Sequence, residues 1–265
     1  MSDVTTTNGT TASAPAAGVT NRIKGRGKSK DLMVPENEIR IAPLRQAIIM
    51  LPIHGTSPLK ILRFSKKKQD AVAAKQREGS QSSSKKNRDP KDFKQEYEEA
   101  KYLCTQKIGG KKVTWLGLNA SGVRNGCIEC CRVAGYVMTR AKMSVFAEAD
   151  GLDDLDATPL VRIYGEPEMS VDPVRNATGG IDLRPRVMFR EWKMDLRIRF
   201  DEGQFSLSDL INLVIRVGQQ NGLGEGRANG SNGNGTGNGF FDVNIDGINL
   251  KRLDPDPIVF KEKVK

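Results

Sequence analysis

The clearest pattern of hydrophobic and polar positions lies between residues 192 and 200. Apolar and charged side chains alternate there without a break: Trp192, Met194, Leu196, Ile198 and Phe200 against Lys193, Asp195, Arg197 and Arg199. Successive side chains of a strand point to opposite faces, so one face is apolar and the other mostly cationic. The pattern predicts a half-buried strand whose open face can meet phosphate groups.

A helix is predicted after this strand, over residues 206–217. Ser206 and Asp209 have the spacing of a capping box, which marks a helix start. Apolar residues then recur at three- and four-residue intervals, as a helix with one buried face requires: Leu207, Leu210, Ile211, Val214 and Val217. Gly218 is predicted to end the helix.

A tract rich in glycine and asparagine occupies residues 218–239. Because glycine tolerates positive φ and loses much backbone freedom on folding, this composition disfavours both helix and strand. The tract therefore predicts a flexible, mobile loop. The apolar pattern of a strand resumes over residues 240–245.

Five earlier segments complete the prediction. Residues 47–53 predict a buried strand, 92–104 a polar helix, 121–142 a longer helix, and 144–149 and 159–165 two further strands. This βαββαβ order predicts an α+β fold with a ferredoxin-like core, insertions, and a glycine-rich loop before the last strand. A doubly wound dinucleotide fold is disfavoured, since its glycines would follow a strand rather than a helix.

The composition predicts polar segments before, within and after this core. Residues 1–35 predict a disordered basic arm, 40–253 a single α+β domain with a charged insertion at about 66–90, and 254–265 a tail. Forty-two Lys and Arg against 32 Asp and Glu give a formal charge of +10, which favours a polyanion as partner. No apolar run approaches the roughly 18 residues that cross a bilayer, so a cytoplasmic protein without membrane contact is expected.

Metal and catalytic chemistry find little support. His54 is the only histidine, which excludes sites with several imidazoles; it can serve as a base for RNA cleavage, but a hydrogen-bonded turn residue is favoured. Cys127, Cys130 and Cys131 include a C-x-x-C spacing that suits zinc, yet no second pair accompanies it. Buried thiols are the favoured interpretation, with no metal, cofactor or catalytic residue predicted.

An arginine cluster is the main candidate site. It consists of Arg175, Arg184, Arg186, Arg190, Lys193, Arg197 and Arg199. These side chains are either solvated surface cations or a phosphate track, because guanidinium groups suit phosphate. Phe189 and Trp192 lie among them and could stack on bases, although the strand alternation directs Trp192 inward. From the glycine tract, the candidate residues are Gly222, Gly224, Gly226 and Arg227, whose exposed backbone amides can bind phosphate.

Two resemblances extend this reading. Gly218, Gly222, Gly224, Gly226 and Gly239, between the last helix and last strand, resemble the glycine-rich loop of the repeat-associated RNA-binding superfamily of CRISPR systems. This resemblance covers about the final fifth of the chain and implies contacts to RNA backbone. A second resemblance is to a family of small phage and prophage proteins of unassigned function. It is carried by the order Ile53-His54-Gly55-Thr56-Ser57-Pro58-Leu59, Val174-Arg175-Asn176, Arg184-Pro185-Arg186 with Trp192, and Gly222-Leu223-Gly224-Glu225-Gly226-Arg227.

Two functional hypotheses follow. The first is non-enzymatic binding of RNA or single-stranded DNA by a phage-encoded protein in the host cytoplasm, with copies of the chain oligomerising along the strand. The second is a structural or assembly protein of a phage particle or replication compartment. Cleavage of nucleic acid is a third, less favoured possibility, because candidate acids and bases are scarce.

Overall fold

The computed structural model describes residues 43–64, 92–175, 180–230 and 235–253, together with positions 70, 73 and 77. The chain divides into Met1–Ala42 and Pro43–Lys265, and every described residue lies in the second unit. The predicted basic arm and tail fall outside the described residues, as does nearly all of the charged insertion. Among the described helices, none is long and apolar enough to cross a membrane.

Twelve strands and four α-helices make up the described part of the chain. The strands are β1 Gln46–Gly55, β2 Leu59–Ile61, β3 Leu103–Ile108, β4 Lys111–Asn119, β5 Val145–Glu148, β6 Gly151–Leu152, β7 Pro159–Arg162, β8 Pro167–Arg175, β9 Ile181–Phe189, β10 Lys193–Asp201, β11 Phe241–Val243 and β12 Asn249–Leu253. The helices are α1 Phe93–Glu99, α2 Ala120–Val133, α3 Met138–Ser144 and α4 Leu207–Arg216, the last continued by a π-helix over Val217–Asn221.

The central sheet has the order β11-β1-β10-β5, and β12 pairs with β1 beyond β11 on the same edge. β1 and β10 pair along their length, from Gln46 opposite Asp201 to His54 opposite Lys193. Alternate residues of both strands are almost fully buried, which confirms the predicted half-buried strand. Full burial of one such Leu, Ile or Phe side chain stabilises the fold by roughly 1.5–3 kcal/mol.

Helices cover the apolar face of this sheet. One helical connection, through α2 and α3, precedes β5, and α4 precedes β11. Leu210 and Val214 of α4 are buried in the same core cluster as Leu196 and Ile198 of β10, as the apolar stripe predicts. The Ser206 side chain caps α4 by accepting the Asp209 amide at 3.1 Å.

Two smaller sheets flank the central one, with orders β2-β9-β8 and β3-β4-β7-β6. All strand pairings among the described residues are antiparallel. The protein is therefore α+β, as predicted. The long β8–β9 ribbon and the β3–β4 hairpin were not expected, because the sequence pattern marks neither clearly as strands.

Four predicted boundaries are wrong. The strand predicted over 240–245 ends at Val243, and a 3₁₀-helix follows at Ile245–Gly247. Gly218 does not end the helix, which continues beyond α4 as a π-helix to Asn221. Glycine is needed at position 218 because the Phe241 backbone packs there, 2.2 Å from where a Cβ would lie. The polar helix ends at Glu99, since Cys104 pairs with Trp115 in a hairpin. The strand predicted over 159–165 ends at Arg162.

The predicted single helix over 121–142 is two helices. Gly135 has a φ of +72°, which L-residues adopt only with strain. Its amide donates to the Arg132 carbonyl, and the Tyr136 amide donates to that of Cys131 at 2.9 Å. This Schellman arrangement ends α2, and the chain turns before α3 begins.

Candidate nucleic-acid interface

A cleft of about 320 Å³ lies between the β8–β9 ribbon and the glycine tract. Its charged lining residues come from three elements: Lys60 of β2, Asp172 and Arg186 of the ribbon, and Glu225 and Arg227 of the tract. Gly226, Thr236 and Asn238 add backbone and small polar groups. The cleft thus joins the two regions that carry the candidate residues of the sequence.

The first half of the glycine tract follows a defined path. Gly222, Gly224 and Gly226 have φ values of +74°, +73° and +71°, so every second residue is in the region that favours glycine. Between these glycines, Leu223 is buried and its amide donates to the Gly239 carbonyl. The Glu225 amide donates to the backbone carbonyl of Lys60 at 2.7 Å. These bonds hold the tract against β2 and place Gly226 at the cleft.

The remainder of the tract is only partly described. Residues 231–234 lie outside the described residues. The Thr236 and Asn238 amides both donate to the Gly226 carbonyl at 3.2 Å. The predicted mobility of the tract as a whole stays a prediction.

Asp172 is the electrostatic centre of the cleft. It accepts hydrogen bonds from the Lys60 ammonium at 2.7 Å and the Arg186 guanidinium at 2.9 Å. Burial by itself would raise the pKa of Asp172, but bonds from Lys60, Arg186 and Ser170 outweigh it and lower the pKa below its ordinary value. The carboxylate therefore stays ionised and keeps both cations at the cleft.

The cleft cations retain donors for a ligand. Arg186 also approaches Glu225 at 3.6 Å, and Arg227 lies 3.8 Å from Glu129 of α2. A guanidinium has five N–H donors and an ammonium three, more than these contacts use. An anion can thus be bound without breaking the pairs that hold the side chains in place.

The other candidate cations lie away from the cleft lining and are largely paired. On β9, Arg184 lies 3.3 Å from Asp182, and Arg190, just after β9, forms an ion pair with Glu168. Lys193 is exposed at the start of β10, opposite His54. The side chain of Arg175 falls outside the described residues. The structure therefore brings together Arg186, Arg227 and Gly226 but not the whole predicted track.

Arg197 and Arg199 lie on the open face of the central sheet and hold its edge. Arg197 pairs with Asp150 at 2.8 Å, just after β5. Arg199 pairs with Glu148 of β5 at 2.7 Å and lies over the Phe146 ring. These ion pairs join β10 to β5 and the turn that follows it, so both arginines have a structural role at the edge of the sheet.

The suggested base-stacking role of Phe189 and Trp192 is wrong. Both rings are buried, with 1% and 3% of their surface exposed, so neither offers a face to a base. The Trp192 indole donates to the Ser57 carbonyl at 2.8 Å and packs against Gly55. The inward alternation of Trp192 is confirmed, and Trp192 is a core residue rather than a binding one.

His54 lies at the end of β1, half exposed. Its Nε2 atom is 4.0 Å from the Asp242 carboxylate, beyond hydrogen-bonding distance. No group of three or more His, Cys, Asp or Glu side chains suited to a metal occurs among the described residues.

All four cysteines are buried. Burial raises the pKa of Cys127 to about 12 and that of Cys130 to about 11, because the thiolate would lose its hydration. This agrees with the interpretation of the thiols as small core hydrophobes. Inertness towards thiol reagents follows from both burial and pKa.

We expect the native protein to resist a thiol-labelling reagent at mildly alkaline pH. The thiolate of Cys127 is scarce at that pH, since burial raises its pKa to about 12. Labelling should appear only in denaturant, and metal analysis should find no stoichiometric zinc. Rapid labelling of the folded protein, or one zinc per chain, would contradict this account.

Sequence reasoning missed three members of the cleft: Lys60, Asp172 and Glu225. The available signal was the alternation Glu168-Met169-Ser170-Val171-Asp172, which matches one polar face of a strand. Nothing local indicates that this face meets a loop some fifty residues further along the chain. The chain matches no family model and no curated protein, so the chemistry of the cleft carries the functional argument.

Proposed function

We propose that this protein binds RNA or single-stranded DNA without enzymatic action, using the cleft between β9 and the glycine tract. The observation that carries the proposal is the meeting of Lys60, Arg186 and Arg227, from three separate segments, beside the Gly226 backbone. Guanidinium groups, ammonium groups and exposed backbone amides are the groups that bind phosphates of a nucleic-acid backbone. The formal charge of +10 adds long-range attraction.

The topology supports a finer fold assignment, which we include in the proposal. The order β11-β1-β10-β5, with a helical connection before β5 and another before β11, fits a ferredoxin-like βαββαβ core. The glycine tract then lies between the last helix and last strand of that core. This position supports the resemblance to the RNA-binding superfamily of CRISPR systems. A phage-encoded protein in the host cytoplasm that oligomerises along the strand is the setting in which we propose that it acts.

The cleft is tested by removing two of its cations. In the variant Arg186→Gln with Arg227→Gln, each lost charged hydrogen bond is worth about 1.5–3 kcal/mol, so the loss of two should weaken binding at least roughly a hundredfold. The salt slope should fall by somewhat over one, since each phosphate contact on a single strand releases about 0.7 counterion. Binding is measured by mobility shift with single-stranded RNA, single-stranded DNA and duplex DNA at two salt concentrations.

The matched control is Arg140→Gln with Arg252→Gln. Both arginines are exposed and belong to no candidate site, so the control removes the same charge away from the cleft. Equal losses from the two variants would reduce binding to general electrostatic attraction and overturn the cleft as a site.

One observation favours the alternative of an assembly protein. The face of the β8–β9 ribbon opposite Asp172 and Arg186 carries four exposed apolar side chains, namely Met169, Val171, Ile181 and Leu183. Exposed apolar patches often mark protein interfaces. A sizing column run with and without nuclease separates the two functions: nucleic acid carried through purification supports binding, and a nuclease-resistant oligomer supports assembly.

A further inference from the structure

The tip of the β3–β4 hairpin carries a second cluster of cations. Lys107, Lys111 and Lys112 surround the turn Gly109-Gly110 and are all exposed. In the described part of the chain, none of their ammonium groups forms a hydrogen bond or ion pair. This differs from the arginines of the cleft and of the central sheet, each of which has a carboxylate partner.

The register makes the cluster unfavourable in the free protein. Lys107 lies directly opposite Lys112, on the same face of the ribbon. Like charges in directly opposite positions destabilise an antiparallel pair. Asp154 feels the charge of Lys112, but its pKa is lowered first by hydrogen bonds from Thr105, so it is already engaged at the hairpin base. A polyanion would remove the repulsion that the fold leaves uncompensated.

The hairpin presents this cluster on a rigid support. Cys104 and Trp115 bury its base together with Leu160, and the Thr105 and Thr114 hydroxyls bond across the strands at 3.0 Å. Beyond the base the ribbon projects: a Cβ added to Gly109 or Gly110 would meet no atom within 4 Å. The positive φ values of these glycines, +58° and +81°, suit the tight turn that joins the strands.

We infer that the tip of the β3–β4 hairpin is a second contact site for the phosphate backbone of nucleic acid, separate from the cleft. The identity of the ligand rests on the proposed function; the position of the site rests on the lysines alone. Three mobile ammonium groups act as point charges that follow a backbone without reading bases, so this contact should be independent of base sequence.

The test compares two triple variants by fluorescence anisotropy with a labelled single strand over a salt series. Lys107→Gln, Lys111→Gln and Lys112→Gln together should lower the salt slope by about two, since three phosphate contacts each release about 0.7 counterion. The control replaces Lys94, Lys142 and Lys251 with Gln, three exposed lysines on separate elements. Its slope should change clearly less, and the melting temperature of the hairpin variant should stay equal or rise as the repulsion is removed.

Each outcome decides a specific claim. Equal changes in the two triple variants would overturn the hairpin site and leave the cleft proposal intact. If the hairpin variant loses affinity and salt slope while Arg186→Gln/Arg227→Gln binds fully, the cleft is overturned as a binding site and the hairpin site is retained. A wild-type protein that binds no strand at all would overturn both.

Discussion

Replacing Arg63 with Met is expected to lower the free energy of unfolding by about 3–5 kcal/mol, because it leaves a buried carboxylate without its counter-charge. Arg63 and Asp153 expose only 4% and 1% of their side chains, with Nε 3.3 Å from the carboxylate. Arg63 also bonds Asp156 at 3.1 Å. Met keeps most of the side-chain volume, so the loss reports the charge rather than a cavity.

The effect should be large because Asp153 organises a junction of the fold. Its carboxylate accepts the amides of Leu103, Leu155 and Asp156, while the Arg63 amide donates to the Ala100 carbonyl. The pair therefore ties the end of β2 to the start of the β3–β4 hairpin. Urea denaturation followed by circular dichroism measures the change.

The comparison for this variant is Arg252→Met. Arg252 pairs with Glu202 at the surface, with 64% of its side chain exposed, and such pairs contribute only about 0–1 kcal/mol. Similar losses from Arg63→Met and Arg252→Met would show that the buried pair has no special weight.

Replacing Gly224 with Ala should lower the free energy of unfolding by about 2–5 kcal/mol. Roughly 1–2 kcal/mol comes from placing an L-residue at a φ of +73°. A further 1–3 kcal/mol comes from overpacking, since the new Cβ would lie 2.3 Å from the Lys60 carbonyl oxygen. To relieve this clash the tract must move away from β2, which separates Gly226 and Arg227 from Lys60. Nucleic-acid binding should therefore weaken as well.

Gly110→Ala separates the two contributions. Gly110 has a similar φ of +81° but no atom within 4 Å of an added Cβ, so it carries the conformational cost without the clash. Thermal or urea unfolding of both variants gives the difference. If Gly224→Ala costs no more than Gly110→Ala, the close approach of the tract to β2 is not a constraint on the fold.

Periodicity predicts the central sheet well because each of its strands buries one face along its length. The alternation of Met194, Leu196 and Ile198 and the stripe of α4 are local signals that tertiary packing reinforces. The burial of the three cysteines of α2 follows from a similarly local rule, since apolar residues flank them at helical spacing. The β8–β9 ribbon gives a weaker signal, since its outer half exposes both faces.

The candidate site is less predictable because charge pairing is not local. Arg63 looks like one more cation before the lysines that follow it, yet its partners are some ninety residues away. Arg197 and Arg199 look free on the strand but meet carboxylates supplied by β5 and its following turn. A cationic face in the sequence therefore indicates where arginines point, and only the fold shows which carboxylates they meet.

The pairing of β1 bears on how the protein is made. β1 is the first described strand, and both its neighbours come late in the chain: β10 on one edge, β11 and β12 on the other. During synthesis β1 cannot pair with these strands, or bury its apolar side chains against them, until most of the polypeptide has left the ribosome. Strand pairing between segments so distant in sequence is slow, and until it forms the unpaired edges of β1 are prone to aggregation. We therefore expect nascent chains stalled before β10 to need chaperones.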